Sequence, residues 1–338
     1  MAADFEEMTY SVRRDDWSQG RLDCSTLPEL GPSEVLFRVD RFALTSNNVT
    51  YAAAGDMLNY WGFFPADEGW GRVPVMGFGD VLASRHPEVA EGTRAFGFFP
   101  MSTHLVVEAS GVTAHSFVDA APHRSQHAPV YRQYQPVDAD PHYDAGYESR
   151  ILLLRGLFMT SFLVHGFLED ANGFGAERVL ISSASSKTAI ALAFLLSQRA
   201  GQHVVGFTSA RHRAFVEGLG FYDEVLAYDE VEKLSADAPA VFVDHSGDGG
   251  FVNALHRHLG DQLRYSGIVG ATHWSAGPRD TDLPGPEPAF FFAPGEITKR
   301  VEAWGPEGFQ RRLGEGWRAF CQSSEGWLNV QFDGDPRR

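Results

Sequence analysis

The second half of the chain alternates short apolar runs with helical patterns of apolar residues. Strands are predicted at residues 179–181, 203–207, 224–228, 240–243, 266–271 and 284–294. Helices are predicted at residues 150–169, 187–196, 211–219, 253–259 and 299–320, with a closing strand at 328–332. Such alternation predicts an α/β domain, with a Rossmann-type, doubly wound parallel sheet that is covered by helices on both faces.

The first half shows a different pattern. Residues 34–44 alternate apolar and polar side chains, as a half-buried antiparallel strand does, and shorter strands with glycine turns are predicted at 73–82, 93–98 and 103–108. Several short strands at this spacing predict a small β-barrel or sandwich. Residues 45–65 mix aromatic and amide side chains, which suits either a pocket wall or a packed loop over a barrel end.

Residues 116–148 lose the apolar periodicity and are rich in histidine, proline and tyrosine. We interpret this segment, called the arm below, as a long irregular connection between domains. Its histidines lack the spacing of metal ligands on a helix and have no cysteine nearby, so no metal site is predicted.

Composition limits the classes of function. A length of 338 residues suggests two domains, and 43% apolar residues can form a sizeable core. The net charge of −16 argues against nucleic acid and anionic membrane surfaces as partners. Two distant cysteines fit a reducing cytoplasm, and neither a leader peptide nor an apolar run long enough to span a membrane is predicted.

The candidate chemistry begins where the strand at 179–181 ends. Hydroxyl side chains and a lysine follow at once and lead into an apolar helix, whose N-terminus presents backbone N–H groups to a phosphate. The predicted phosphate contacts are Ser183, Ser185, Ser186, Lys187 and Thr188. The glycine fingerprint of dinucleotide sites is absent, so a plain strand–helix unit with a serine-rich cap is the alternative.

The next strand ends without an acidic residue, and the residues that follow it are Thr208, Ser209, Arg211 and Arg213. An arginine here accommodates the 2′-phosphate of NADP(H), whereas an acid would hold the ribose of NAD. The alternative is that both arginines belong to an exposed helix start. Ligands of such sheets lie at the carboxyl ends of the strands, where His245 and Thr272 are also predicted to contact the cofactor.

Four stretches carry a family resemblance: NNVTYAAAG at 47–55, SSASSKTA at 182–189, TSARHRAFVEGLG at 208–220 and YDEV at 222–225. The chain resembles the zinc-free quinone-oxidoreductase branch of the medium-chain dehydrogenase/reductase superfamily, and more closely the DUF2855 family within it. The resemblance implies a GroES-like β-barrel domain at 1–149, completed by 306–338, and a Rossmann domain at 150–305. It also implies NADP(H) in a cleft between the domains, and dimerisation.

The resemblance further implies hydride transfer to or from a conjugated alkene, quinone or carbonyl compound, without zinc, since Cys24 and Cys321 are the only cysteines. A hydrogen-bond donor must then stabilise the developing oxyanion. Tyr51, Asn48 and His273 are the candidate catalytic residues, although His273 could instead cap its own strand. Tyr60, Trp61 and Phe64 are predicted to stack on the substrate, with ordinary core packing as the alternative.

Two other functions compete with this interpretation. One is a nucleophilic serine activated by Lys187, which the missing S-x-x-K spacing argues against. The other is a protein that binds NADPH without catalysis, as a sensor or scaffold. The sequence does not specify the substrate.

Overall fold

The computed structural model describes residues 6–199, 201–270, 277 and 279–334. The chain divides into two units, Met1–Leu153 and Leu154–Arg338.

The first unit is built mainly from antiparallel strands. Six of them close into a barrel in the order β3-β5-β6-β9-β8-β7, and β2-β1-β4 form a separate sheet. The strands are β1 (Glu6–Arg13), β2 (Gly20–Thr26), β3 (Glu34–Ala43), β4 (Trp70–Gly71), β5 (Val75–Ser84), β6 (Arg94–Phe99), β7 (His104–Ser110), β8 (Phe117–Asp119) and β9 (Gln133–Pro136). The helices are α1 (Ser46–Ala53), α2 (Pro129–Arg132) and α3 (Glu148–Arg150). The barrel prediction is therefore confirmed.

Aromatic rings fill the barrel. The ring of Phe37 lies 5.5 Å from that of Phe99 and 5.2 Å from that of Tyr134, and all three side chains are fully buried. Glycine in β5 makes room for them, because a Cβ at Gly79 would lie 3.1 Å from the Phe99 ring and from the Arg38 carbonyl oxygen.

The prediction that the arm is irregular is wrong for two of its segments. β8 and β9 lie within residues 116–148 and complete the barrel, with β9 paired to both β6 and β8. These strands are only three and four residues long, too short to show a period in the sequence. Residues 46–53, predicted as part of a pocket wall or of a packed loop, form the helix α1.

The second unit contains a six-stranded parallel sheet in the order β12-β11-β10-β13-β14-β15. Its strands are β10 (Arg178–Ile181), β11 (His203–Thr208), β12 (Glu224–Ala227), β13 (Ala240–Asp244), β14 (Leu263–Ile268) and β15 (Ala289–Phe290). Its helices are α4 (Gly156–Asp170), α5 (Lys187–Ser197), α6 (Arg213–Gly218), α7 (Gly249–Leu259) and α8 (Ala293–Ser324). This strand order is that of the Rossmann fold, which confirms the predicted fold class.

The prediction that no apolar run is long enough to span a membrane is wrong for one helical stretch. The stretch Ala145–Asp170 is 26 residues long, and an 18-residue window within it has a mean hydropathy of 1.8, enough by length and composition to cross a membrane. Its α4 side chains Phe158, Leu163 and Val164 are nevertheless buried, and the Phe158 ring stacks 5.3 Å from Phe320 of α8. The part within α4 is therefore a core helix of the second unit.

The C-terminal segment differs from the expectation that residues 306–338 complete the first domain. α8 belongs to the second unit, where Phe320 packs 5.4 Å from Phe194 of α5. The helix is kinked at Gly305, whose φ of 71° only glycine adopts readily. Within the described residues 325–334 there is no strand, so the strand predicted at 328–332 is absent.

Candidate functional site

The turn between β10 and α5 builds a helix start without glycine. Ser183 has a φ of 51°, in the left-handed region that favours glycine, and its carbonyl oxygen accepts a 2.7 Å hydrogen bond from the Ser186 N–H. Ser186 caps α5, since its Oγ accepts from the N–H of Ala189. Lys187 and Thr188 occupy the first two helical positions, whose N–H groups have no acceptor within a helix. The turn thus presents N–H donors to an anion.

Ser182 links two strands rather than facing a ligand. Its Oγ lies 2.6 Å from Oδ1 of Asp244, at the end of β13, and accepts hydrogen bonds from the N–H groups of His245 and Ser246. All four residues are buried. The bonds hold the ends of β10 and β13 together beside the turn.

Tyr228, which follows β12, also reaches the turn. Its hydroxyl oxygen accepts a 2.9 Å hydrogen bond from the N–H of Ser183, and its ring lies 4.9 Å from that of Phe251. Burial raises the pKa of Tyr228 to about 12, so the phenol is un-ionised at neutral pH. One backbone donor of the turn is therefore engaged by the protein itself, and no pattern in the sequence indicates this contact.

A polar cluster forms where β11 ends. Ser185 Oγ lies 3.4 Å from Thr208 Oγ1 and 3.3 Å from His212 Nδ1, and Ser209 Oγ lies 3.2 Å from the same nitrogen. The structure thus brings together three of the hydroxyl residues predicted from the sequence and adds His212. The sequence signal for His212 is its position within the TSARHR stretch.

The two arginines after β11 have different environments. Arg213 forms ion pairs of 2.9 Å with Glu217 and 2.8 Å with Glu230. Arg211 is exposed, and neither Arg211 nor the half-buried Lys187 has an ion-pair partner within the described ranges. Arg211 and Lys187 are consequently available to an anionic ligand.

His245 lies at the carboxyl end of β13, as predicted. Burial lowers the pKa of its imidazole to about 4, so it is neutral at pH 7. Its buried Nε2 has no hydrogen-bond partner in the part of the chain that the structure describes. Thr272 and His273, predicted on the next strand end, lie outside the described residues.

A cluster of aromatic side chains in the first unit holds two of the predicted residues. The half-buried Tyr51 ring lies 5.1 Å from Tyr60 and 6.1 Å from Phe98. Burial, reinforced by neighbouring tyrosines, raises the pKa of Tyr51 above its usual range and that of Tyr60 to about 12. Both phenols therefore act as O–H donors at neutral pH.

The other predicted residues of this unit lie elsewhere. Asn48 Oδ1 accepts from the N–H of Thr45 at 2.6 Å, and its Nδ2 donates to the Pro74 carbonyl oxygen, so the side chain fixes α1 to the segment before β5. Phe64 is buried beneath Arg124. Trp61 is buried and borders a separate cavity of about 420 Å³. Of the three aromatics predicted to contact substrate, Tyr60 alone joins Tyr51.

Among the described residues, no group of three or more histidine, cysteine, aspartate or glutamate side chains is arranged to hold a metal ion.

Comparison with known proteins supports the family and the fold. The family model described as "Protein of unknown function (DUF2855)" matches residues 42–334. No curated protein sequence matches the chain.

Several solved structures share the fold. CurA from Vibrio vulnificus in complex with NADPH has a TM-score of 0.59 at 14% identity, over 96% of this chain and 90% of that one. A Mesorhizobium loti protein, provisionally described as an NADPH:quinone reductase, has a TM-score of 0.59 at 13% identity, over 94% and 91%. A mutant enoyl thioester reductase from Candida tropicalis has a TM-score of 0.54 at 11% identity, over 98% and 93%.

Proposed function

Because this chain belongs to the DUF2855 family, whose description assigns no reaction, we propose its function from its fold and its polar sites. The protein is an NADP(H)-dependent reductase that transfers hydride between the nicotinamide and a conjugated alkene, quinone or carbonyl compound. The observation that carries the proposal is the start of α5, where backbone N–H groups and the half-buried Lys187 follow β10, and where Ser185 contacts His212, the neighbour of the exposed Arg211.

The residues of this turn fit a dinucleotide. Ser183 adopts the left-handed conformation of a glycine, and a Cβ at Gly206 of β11 would meet the Cβ of Ala184 at 3.0 Å, which reflects a close approach of turn and strand. Lys187, Thr188 and the amides of the first turn of α5 would hold the pyrophosphate. Ser183 and Ser186 lie in the same turn.

The end of β11 supplies the preference for the phosphorylated cofactor. Arg211 would pair with the 2′-phosphate, and Ser185, Thr208 and Ser209 offer hydroxyl donors there. Arg213, predicted for the same role, is held by two glutamates and supports the helix instead. His245 and Thr272 remain our candidates for the nicotinamide end. The CurA complex with NADPH provides a precedent for this cofactor on the fold.

NADP(H), when bound, supplies or accepts the hydride. The protein must then stabilise the negative charge that develops on the substrate oxygen. Un-ionised Tyr51 can donate its O–H to that oxygen, and Tyr60 offers a ring face for stacking. Asn48 retains a second amide hydrogen for the same task. His273 is kept as a candidate proton donor. Trp61 and Phe64 are buried, so we assign them to core packing in the segment that carries Tyr60.

A nucleotide-binding protein without turnover is the second candidate. The observation that favours it is that Asn48, a candidate catalytic residue, already accepts a hydrogen bond from Thr45 and donates one to the Pro74 carbonyl oxygen. A serine nucleophile activated by Lys187 is not supported at Ser186, whose Oγ caps α5.

We also propose a cytoplasmic homodimer. β15 lies at the edge of the parallel sheet, and Phe290 is 72% exposed there, with Phe292 at 64%. An exposed apolar edge strand favours pairing with a second copy. Light scattering measures the molar mass of the purified protein and of a Phe290→Lys variant. The wild type should be a dimer and the variant a monomer.

Titration of the whole protein with NADPH and with NADH, followed by cofactor fluorescence, tests the binding proposal. We expect tighter binding of NADPH, and oxidation of NADPH in the presence of one class of a panel of quinones, enones and aldehydes. Binding without oxidation of any panel member would support the sensor. Failure of both nucleotides to bind would contradict both functions.

A further inference from the structure

The arm packs against residues 59–64 of the first unit. Arg124, in the arm, is fully buried; its guanidinium donates to the carbonyl oxygen of Tyr131, to the Tyr134 hydroxyl at 3.0 Å and to Asp119 at 3.3 Å. The same group lies 4.8 Å from the ring of Phe64. A buried cation that binds three groups of the arm fixes the arm's backbone around residue 131.

Histidine and tyrosine contacts join the arm to neighbouring elements. His127 Nε2 lies 2.9 Å from the carbonyl oxygen of Asn59, and the His127 ring lies 4.2 Å from that of Phe63. The Tyr134 hydroxyl donates to the carbonyl oxygen of Phe98 in β6. The arm therefore has a defined position against residues 59–64 and against β6.

Tyr131 is thereby placed against the aromatic cluster that holds Tyr51 and Tyr60. Its ring lies 6.2 Å from Tyr60 in an edge-to-face arrangement, and 5.3 Å from both Phe63 and Phe98. Phe63 and Phe98 are buried, whereas all three tyrosines are half-buried and so keep part of their surface open to a ligand. The three phenols share one aromatic surface.

We infer that Tyr131 is a specificity-determining residue of the substrate site, which takes a flat conjugated molecule bearing a carbonyl oxygen. The inference rests on the proposed function for its substrate class. The ring of Tyr131 stands edge-to-face to that of Tyr60 and so forms a second wall beside its stacking face, and its hydroxyl adds a donor for the substrate oxygen. The role of the arm is then to carry this side chain to the cluster.

Two probes of matched shape separate these contributions. Anthraquinone-2-sulfonate and anthracene-2-sulfonate differ only at C9 and C10, which are carbonyl groups in the first and C–H groups in the second. Their binding to the whole protein without cofactor is measured by calorimetry. We expect the wild type to prefer the quinone. Tyr131→Phe should reduce that preference about threefold or more while anthracene binding stays unchanged, because the variant lacks only the hydroxyl.

Tyr131→Ala should weaken both probes by about threefold to tenfold, as loss of an aromatic pair predicts. Tyr147→Phe is the matched control, since Tyr147 stacks on Arg150 instead, and it should change neither constant. A thermal melt shows whether each variant is folded. If Tyr131→Ala is misfolded, the comparison of Tyr131→Phe with the wild type still decides the inference. Wild-type protein that binds neither probe, or a Phe variant with unchanged preference, would overturn the inference.

The assay also separates this inference from the proposed function. It requires neither NADPH nor turnover, so a protein that fails to oxidise NADPH can still show the quinone preference and its loss in Tyr131→Phe. Conversely, the protein could oxidise NADPH while Tyr131→Phe leaves its quinone preference unchanged. That result would retain the proposed function and exclude the role of the arm.

Discussion

The hydroxyl oxygen of Tyr228 accepts a hydrogen bond from the backbone N–H of Ser183, at 2.9 Å. Tyr228 comes directly after β12, and Ser183 lies in the turn before α5, so the bond joins two distant parts of the second unit. A left-handed serine in a tight turn is strained relative to glycine. The phenol is therefore part of what holds this turn in shape without the usual glycines.

Replacement of Tyr228 by Phe keeps the ring on Phe251 and removes the acceptor. The unfolding free energy should fall by about 1–2 kcal/mol, because the Ser183 N–H loses its partner. A bound phosphate can replace the phenol, so NADPH should stabilise the variant more than the wild type. Urea unfolding with and without NADPH measures both effects.

Tyr222→Phe is the matched control for that experiment. The Tyr222 hydroxyl donates to the carbonyl oxygen of Ala184, in the same turn and at the same 2.9 Å. A phosphate cannot replace this donor, so the variant should lose stability without extra stabilisation by NADPH. Equal responses of the two variants to NADPH would contradict a phosphate site at Ser183.

Lys187→Ala tests the cation at the start of α5. A charge-assisted hydrogen bond to phosphate contributes about 1.5–3 kcal/mol, so NADPH affinity should fall roughly tenfold to a hundredfold. Lys233→Ala, which removes a lysine paired with Glu230, should leave affinity unchanged. Fluorescence titration measures the constants, and full-strength binding by Lys187→Ala would remove this residue from the site.

The two arginines after β11 should respond differently. Arg211→Ala should lower the preference for NADPH over NADH, because its exposed guanidinium is available to the 2′-phosphate. Arg213→Ala should leave that preference in place, since Glu217 and Glu230 hold its side chain. Dissociation constants for both nucleotides measure the ratio. The reverse pattern would assign the 2′-phosphate to Arg213.

The buried His165 predicts loss of stability in acid. Burial, then the charges of Arg199 and Arg300, lower its pKa from 6.5 to about 4. Between these two values the unfolded chain binds a proton that the folded chain does not, so stability is complete above pH 6.5 and falls as pH drops toward 4. At about 1.4 kcal/mol per pKa unit, the loss is on the order of 2–3 kcal/mol.

His165→Gln should therefore have a smaller drop in unfolding free energy between neutral pH and pH 4.5 than the wild type. His115→Gln removes an exposed histidine and should follow the wild-type profile. Urea denaturation at each pH gives the slopes. A His165→Gln profile parallel to that of the wild type would show that this imidazole is not the group responsible.

Much of the second unit could be predicted from the sequence, because strands buried on both faces are continuous apolar runs. Residues 179–181 and 240–243 have this pattern, and both form central strands of the sheet. The position of Lys187 at a helix start could also be predicted, because the apolar helix begins where the hydroxyl residues end. These features depend on neighbours within a few residues.

Other features depend on residues that are far apart in the chain. Ser182 and Asp244 are separated by 62 positions, and their bond exists because β10 and β13 are adjacent in the sheet. The difference between Arg211 and Arg213 arises from Glu230, beyond the next strand. The sequence alone determined the type and order of most elements through local patterns of burial. Tertiary structure alone decided which polar groups are already paired, because pairing depends on distances that strand order and helix packing set.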